Sequence, residues 1–263
     1  MTAFYKKLER ILSNKKLGSS ELVNNLNELC RAFHSDHKLI KRSIPLISSQ
    51  LGHFSSVSNY LSDLSIIVSL NDKGKLKKFF KDYSKSESAK HQSIFNNLLK
   101  CIPDSKKVIT LSRSGTVLNI LRLWQSTNKN LRVVVCESRP MLEGRLLAED
   151  LLKFGLKVQL VADSVMSLFV PEVDAAIIGA DSVLKNGNVI NKTGSKSLAL
   201  LCKEYKIPFY IVTTRSNFSD KKTFKAKNEN PNEIWTKKHK NLTISNIYFE
   251  EIENKLITKI ITE

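Results

Sequence analysis

From residue 108 onward, short apolar runs alternate with segments of helical character, and this alternation restricts the fold more than any other feature of the sequence. The runs lie at residues 108–111, 131–136, 158–161, 175–178 and 208–212. A repeat of about 25 residues per run and following segment is typical of strand–helix units, which imply a parallel sheet with right-handed crossovers. Residues 175–178 (AAII) are wholly apolar, as in a strand buried on both faces. We therefore predict a Rossmann-like domain.

The first hundred residues show a different, helical pattern. Apolar residues of the segment 20–33 recur every three or four positions and form one helical stripe. Residues 37–51 and 55–70 are predicted to be further helices, and residues 17–21 to be a helix break followed by a serine cap. The fold class is therefore α/β. A helical N-terminal domain of residues 1–103 precedes a Rossmann-like domain of residues 104–263 with a mainly parallel sheet.

The chain is strongly basic, with 42 Lys and Arg against 25 Asp and Glu and a net charge of +17. Such a charge indicates an anionic partner, and weak contact with nucleic acid is one form that this partnership could take. Lysine dominates the basic set and asparagine is abundant, so an AT-rich genome would give the same bias, and both explanations stay open. Within the basic segment Lys73–Lys81 we predict a solvated helix face with Phe79 and Phe80 turned to the core. Contact with phosphates is the alternative.

The sequence offers no signal for a membrane, a metal or a cofactor. No apolar run approaches the roughly 20 residues that a membrane span needs, and no secretory signal follows Met1. We expect a cytoplasmic protein without a membrane partner. The four cysteines show no C-x-x-C spacing and are predicted to be buried thiols, with no metal site. No Gly-x-Gly-x-x-Gly or Walker-type loop follows the first strand, so no cofactor is expected.

Polar side chains follow the predicted strands at the points where the strands end. Residues 112–114 (SRS) follow the first strand, residues 137–139 (ESR) the second, Asp163 the third and Asp181 the fourth. Because the carboxyl ends of parallel strands share one edge of the sheet, these side chains are expected to converge on one crevice. A phosphorylated sugar or a nucleoside monophosphate fits this set of residues.

The stretch from Asp181 to Gly194 adds an anion-binding pattern. Asn186-Gly187 predicts a tight turn, and residues 191–195 (NKTGS) open a predicted helix. A lysine, hydroxyl groups and backbone N–H groups at a helix start suit an anionic ligand, although an ordinary strand–helix connection would give the same pattern. The predicted ligand-binding residues are Arg113, Ser114, Arg139, Asn191, Lys192 and Gly194.

Several segments together resemble one superfamily. It comprises the alpha, beta and delta subunits of translation initiation factor 2B, methylthioribose-1-phosphate isomerase and archaeal ribose-1,5-bisphosphate isomerase. The resemblance rests on residues 133–145 (VVVCESRPMLEGR), 179–181 (GAD), 186–194 (NGNVINKTG), 208–210 (PFY) and 260–263 (IITE). It implies a helical domain followed by a Rossmann-like domain that dimerises. A homodimer, or a hetero-oligomer with related subunits, is therefore expected.

The resemblance also implies which residues would be catalytic. The isomerases of this superfamily interconvert an aldose 1-phosphate and a ketose 1-phosphate with a cysteine and the aspartate of Gly-Ala-Asp. Asp181 is retained here, whereas Ser112 stands at the cysteine position. The neighbouring His and Asn of the family pattern are replaced by Leu111 and Arg113. A serine hydroxyl is a far poorer proton donor and acceptor near neutral pH than a thiol of pKa about 8.5.

These departures favour a noncatalytic protein related to initiation factor 2B. It would bind a phosphorylated sugar or nucleotide and act in a regulatory or translation-linked assembly. The helical half also lacks the Arg-Gly-Ala-Pro segment of the isomerases. Retention of Asp181 favours the alternative, an aldose–ketose sugar-phosphate isomerase. A basic RNA-associated protein on the same fold is a third hypothesis.

Overall fold

The helical half of the protein forms its own apolar core. The computed structural model describes residues 3–14 and 17–263. The helices of this half are α1 (Ala3–Ser13), α2 (Ser19–Ala32), α3 (His37–Leu51), α4 (Ser55–Ser69) and α5 (Lys73–Leu99). Phe4, Leu26, Ile47 and Leu64 are among the residues that they bury together. The helices predicted from the apolar stripes are confirmed.

The start of α2 differs from the predicted serine cap. Gly18 precedes the helix, and its N–H donates to the Glu21 carboxylate at 3.3 Å. The Gly18 carbonyl accepts the Leu22 N–H at 3.0 Å. The prediction of a serine cap is wrong, because the cap position has no side chain and Glu21 supplies the capping contact instead. Ser19 is thereby the first helical residue and is buried.

Helix α5 belongs to both halves of the protein. Asp72 caps its start by accepting the Lys75 N–H at 3.0 Å. Phe80 is buried in the helical core and the lysines of the segment Lys73–Lys81 are exposed, which confirms the predicted solvated face. The last turns of α5 instead pack on the sheet through Ile94 and Leu98. The domain boundary after residue 103 stays a prediction.

The C-terminal half contains a six-stranded sheet in which each pair of neighbouring strands is parallel. Its strands are β1 (Lys107–Leu111), β2 (Arg132–Cys136), β3 (Lys157–Val161), β4 (Ala175–Ile178), β7 (Phe209–Val212) and β9 (Lys259–Ile261). They are arranged in the order β3-β2-β1-β4-β7-β9. Counted along the chain within this sheet, the order is 3-2-1-4-5-6, which is that of Rossmann folds. The predicted α/β class and mainly parallel sheet are confirmed.

Helices cover both faces of this sheet, which is why its central strands are apolar throughout. On one face, α6 (Gly115–Thr127) and α7 (Glu143–Lys153) bury residues such as Trp124 and Leu147. On the other, α8 (Met166–Phe169) and α9 (Ser195–Glu204) bury Met166 and Leu198. Burial of strand side chains on both faces requires continuous apolar runs rather than alternation.

A second, antiparallel sheet lies beside the first. It contains β5 (Ser182–Val183), β6 (Val189–Lys192) and β8 (Phe249–Ile252), with β6 in the middle. The turn between β5 and β6 includes Asn186 and Gly187, and Gly187 has a φ of +81° that an L side chain rarely adopts. The predicted tight turn is confirmed. This hairpin brings Lys192 back beside Asp181, whose N–H donates to the carbonyl of Ile190 at 2.9 Å.

Three further observations concern the described residues alone. No helix among them is long and apolar enough to cross a membrane. No group of three or more His, Cys, Asp or Glu side chains in the same residues is placed to hold a metal ion. All four cysteines are free thiols, of which Cys30, Cys136 and Cys202 are buried and Cys101 is half-buried.

Candidate functional site

A cavity of about 450 Å³ lies between the helical half and the carboxyl edge of the parallel sheet. The loop after β1 and the loop after β4 both line it. These two strands are adjacent, and the chain order reverses between them, so the cavity lies at the switch point where open α/β sheets bind ligands. Its volume is within the range of about 300–1,000 Å³ that is usual for small-molecule sites.

Asp181 lies in this cavity just beyond β4. Burial raises the pKa of its carboxyl group to about 6. The positive charge of Lys192 and hydrogen bonds from the hydroxyl and N–H of Ser19 oppose this rise in pKa without cancelling it. A carboxyl group with this pKa exchanges a proton readily near neutral pH. The catalytic role predicted for Asp181 stays a prediction.

Lys192 lies at the end of β6 in a buried, charge-compensated position. Its Nζ is 2.6 Å from Oε1 of Glu143, and both side chains are almost fully buried. The same ammonium group lies over the rings of Tyr248 and Phe249, 4.7 and 4.8 Å from their centres. A carboxylate and two ring faces together compensate the loss of water around a buried cation. The ammonium group is therefore held in one orientation at the cavity wall.

Ser112 lines the cavity on a loop with an uncommon backbone conformation. Its φ is +61°, and its N–H donates to the hydroxyl of Ser138 at 2.6 Å. Ser138 also has a left-handed φ of +64°, and its hydroxyl donates to the carbonyl of Cys136 at 3.1 Å. These contacts fix the position of Ser112, since non-glycine residues adopt such a φ only when the surroundings impose it.

No cysteine among the described residues lines the cavity. Cys136, whose carbonyl accepts the Ser138 hydroxyl, is buried in the core, and burial raises the pKa of its thiol to about 12. The thiolate is the reactive form of cysteine, and Cys136 is protonated throughout the physiological pH range. Cys136 therefore does not replace a thiol at position 112.

Arg113 also lines the cavity, but its guanidinium group already has two carboxylate partners. Nε donates to Oδ2 of Asp150 at 2.9 Å, and a terminal nitrogen contacts the Glu21 carboxylate. These contacts give Arg113 a structural role, and its predicted role in ligand binding stays a prediction. The side chain connects α2 of the helical half to α7 on the sheet. The contact between Arg113 and Glu21 could not be predicted from the sequence, because the two residues are distant in the chain.

Ser114 and Asn191 line the cavity as predicted and also stabilise its walls. The Ser114 hydroxyl caps α6 by accepting the Val117 N–H at 3.4 Å. The Asn191 side-chain amide donates to the Ser195 hydroxyl at 2.8 Å. Gly179 packs so closely on Ser114 that an added Cβ would lie 2.7 Å from the Ser114 Cβ. The loop after β4 therefore needs glycine at this position.

The structure does not bring Gly194 and Arg139 into the cavity lining. The N–H groups of Gly194 and Lys196 donate to Oε1 of Glu250 at 2.7 and 2.9 Å. The start of α9 is thus occupied by a carboxylate of the chain itself, 56 residues after Gly194. The side chain of Arg139 is exposed, and its backbone N–H donates to Asp163 at 2.7 Å.

Three lining features had no role in the sequence analysis. Glu143 lies within a family-like segment, but nothing in the sequence pairs it with Lys192. Phe54 and Phe249 form an apolar wall, with ring centres 5.6 Å apart in an edge-to-face arrangement. His53 lies beside them, and burial, followed by the nearby positive charge of Lys227, lowers the pKa of its imidazole. These residues come from distant segments, so no local pattern indicates them.

A Rossmann-type sheet, a helical half and a cavity at the switch point define an α/β protein of the doubly wound class. The sequence model of the Initiation factor 2 subunit family matches residues 5–263, and the chain belongs to this family.

Relatives with different functional names match the chain in part. It is 35% identical to the ribose 1,5-bisphosphate isomerase of Archaeoglobus fulgidus over 125 residues, 48% of this chain and 40% of that protein. It is also similar to a putative translation initiation factor eIF-2B subunit 2-like protein of Pyrococcus horikoshii. The two are 41% identical over 117 residues, which are 44% of this chain and 42% of that protein. Identity to methylthioribose-1-phosphate isomerase 1 of Pseudothermotoga lettingae is 34% over 165 residues, and the match covers 57% of this chain and 46% of that protein. The chain thus spans less than half the length of these relatives.

Solved structures match over nearly the whole chain. The translation initiation factor eIF-2B of Pyrococcus horikoshii OT3 superposes with a TM-score of 0.81 at 25% identity, covering 100% of this chain and 96% of that one. The tetrameric eIF2B-beta2-delta2 complex of C. thermophilum gives a TM-score of 0.79 at 15% identity, covering 100% and 91%. The second likeness concerns the fold alone. The family predicted from the sequence motifs is confirmed.

Proposed function

We propose that the cavity binds a phosphorylated sugar or a nucleoside monophosphate and that the protein does not convert this ligand. In this proposal the chain acts as a noncatalytic member of its family in a regulatory, translation-linked assembly. One observation carries the proposal above all. Ser112 and Asp181 line the same cavity, so a hydroxyl group stands where the resembled isomerases have a thiol.

The chemistry of the cavity wall supports a ligand with hydroxyl and phosphate groups. Ser112, Ser114 and Asn191 offer hydrogen-bond donors and acceptors of the kind that recognise sugar hydroxyls. Lys192 supplies a fixed ammonium group, and Lys227 a second one that is exposed. The apolar wall of Phe54 and Phe249 gives a flat surface for a sugar or base.

The residues that line the cavity also support the proposal that the protein does not convert a bound sugar phosphate. Aldose–ketose interconversion moves protons between neighbouring carbons and between their oxygens, which requires well-matched acid and base groups. Each such group typically contributes about a hundred- to ten-thousand-fold in rate. Asp181 has a suitable pKa of about 6, but a serine hydroxyl does not ionise near neutral pH. The loss of one partner should therefore leave little activity.

An isomerase is the second candidate, and the state of Asp181 favours it. Its raised pKa is the property that enzymes give to a carboxyl group that must both take up and release a proton. Two of the relatives reported above carry isomerase names. In this alternative Asp181 would carry the proton without help from a thiol.

Calorimetry with ribose 1,5-bisphosphate, ribose 5-phosphate and AMP tests the site. We expect Lys192→Ala to weaken binding by about tenfold to a hundredfold, since hydrogen bonds to charged groups contribute about 1.5–3 kcal/mol. Arg139→Ala is the matched control, because it removes a cation that lies outside the cavity, and it should bind as wild type does. Lys192→Met, which keeps much of the side-chain volume, serves as a second variant if Lys192→Ala is unstable. Equal binding by all proteins would contradict the assignment of the site.

We also infer that the protein is a dimer or a larger oligomer. The resembled superfamily assembles through its Rossmann-like domains, and one structural neighbour is a tetrameric complex. The partner would be a second copy of the chain or a related subunit.

A further inference from the structure

Four lysines that do not line the cavity follow one another along the surface of α5. Lys73, Lys77, Lys81 and Lys85 occur at intervals of four residues, and all four are exposed. With a rise of about 1.5 Å per residue, the side chains start about 6 Å apart and the set spans about 18 Å. We call these four residues the lysine row.

The charges of the lysine row are not compensated within the protein. None of the four lysines is ion-paired with any acidic side chain in the described part of the chain. Asp82 is the one acidic residue between Lys73 and Lys85; it lies one helical turn before Lys85 without an ion pair to it and lines a groove beside Phe79. By contrast, Lys90 of the same helix is 2.9 Å from Glu87. Like charges four residues apart repel, so the row does not stabilise the helix.

On its own side of α5, the lysine row is accompanied by no exposed apolar side chain. Gly74, Ser84 and Ser88 share its side of the helix, since each residue advances the helix by about 100°. Protein partners bind mainly through buried aromatic or apolar side chains, and a helix that inserts into a membrane needs an apolar face. Binding to a nucleic-acid backbone needs only positive charges that replace counterions at the phosphates. The composition of this surface therefore favours nucleic acid over a protein or a membrane.

We propose that the lysine row binds the phosphate backbone of a nucleic-acid duplex without reading its sequence. The row takes no part in the cavity, so this second function is independent of ligand binding there. RNA and DNA duplexes share the phosphate chemistry, and the experiment below separates them.

Fluorescence anisotropy of the full chain with labelled duplexes of about 20 base pairs, over a range of KCl concentrations, tests the proposal. The row variant replaces Lys73, Lys77, Lys81 and Lys85 with Gln. Its plot of log binding constant against log salt should be less steep than that of wild type by about 3.6, at about 0.9 per phosphate contact. The control variant removes the same charge from four dispersed, exposed lysines, Lys129, Lys157, Lys203 and Lys255. Its slope should change by less than about 1.

Each outcome decides for or against the proposal. Equal changes of slope in the two variants, or no binding by wild type at about 50 mM KCl, would overturn it. Polyglutamate that displaces the duplex at equal charge concentration would identify an acidic polypeptide as the partner and would also overturn it. Tighter binding of the RNA duplex than of the DNA duplex, or the reverse, identifies the source of the phosphates. Circular dichroism checks that the variants fold. If the row variant does not fold, the double variant Lys77→Gln with Lys81→Gln replaces it, and its slope should change by about 1.8.

Discussion

The half-buried carboxyl group of Asp181 couples the site to the stability of the fold. Its pKa is about 6 in the folded protein, against an ordinary value of 3.8. Between these two values the folded state binds more protons than the unfolded state. The contribution of Asp181 to stability is therefore greatest in acid, is lost as the pH rises through this window, and changes little above it.

Replacing Asp181 by Asn removes this dependence. We expect the free energy of unfolding of Asp181→Asn, relative to wild type, to rise by up to about 3 kcal/mol between about pH 4 and pH 7, at about 1.4 kcal/mol per pKa unit. Urea denaturation at a series of pH values measures this difference. A difference that stays constant, or that falls as the pH rises, would contradict the raised pKa of Asp181.

Single residues of the site could be predicted where strand topology alone places them. Asp181 and Ser112 follow buried strands, so their presence in one crevice follows from the parallel sheet. The contacts of Arg113 and Gly194 could not be predicted in the same way. Their partners, Glu21 and Glu250, are far away in the chain, and only the tertiary fold brings these carboxylates to groups that otherwise suit an anionic ligand.

At the level of elements, Arg113 connects the two halves of the protein. Its guanidinium group is mostly buried and contacts Glu21 on α2 and Asp150 on α7. Arg113→Ala leaves both carboxylates without this partner and should lower the free energy of unfolding by about 2–3 kcal/mol. Arg145→Ala is the matched control, because Arg145 pairs with Glu137 in a more exposed position, and it should cost at most about 1 kcal/mol. Equal losses in thermal or urea denaturation would show that Arg113 does not connect the halves as described.

The elements themselves differ in how well the sequence predicts them. Strands such as β4 are continuous apolar runs because helices cover both faces of the sheet, and this pattern is visible without a structure. Strand β8 has the sequence FEEI and is only partly buried, so no apolar run marks it. Its pairing with β6 nevertheless places Phe249 at the cavity wall.

The whole molecule is proposed to assemble through its sheet-containing half. Light scattering at micromolar concentration should therefore give a mass of at least twice the 29.8 kDa of the chain. Dilution into the nanomolar range would then report how tightly the copies associate. A monomer at all concentrations would contradict self-association and leave a related subunit as the partner to test by co-expression.

Binding without conversion is the central claim about the molecule as a whole, and ³¹P NMR observes both parts of it in one sample. Ribose 1,5-bisphosphate is mixed with an equal concentration of the protein, and its phosphorus resonances are followed for several hours. We predict that the resonances broaden or shift on mixing, as expected for a ligand held in the cavity beside Lys192, and that no product resonance appears. Product formation at ordinary enzyme rates, abolished by Asp181→Asn, would contradict this account and make the protein an isomerase.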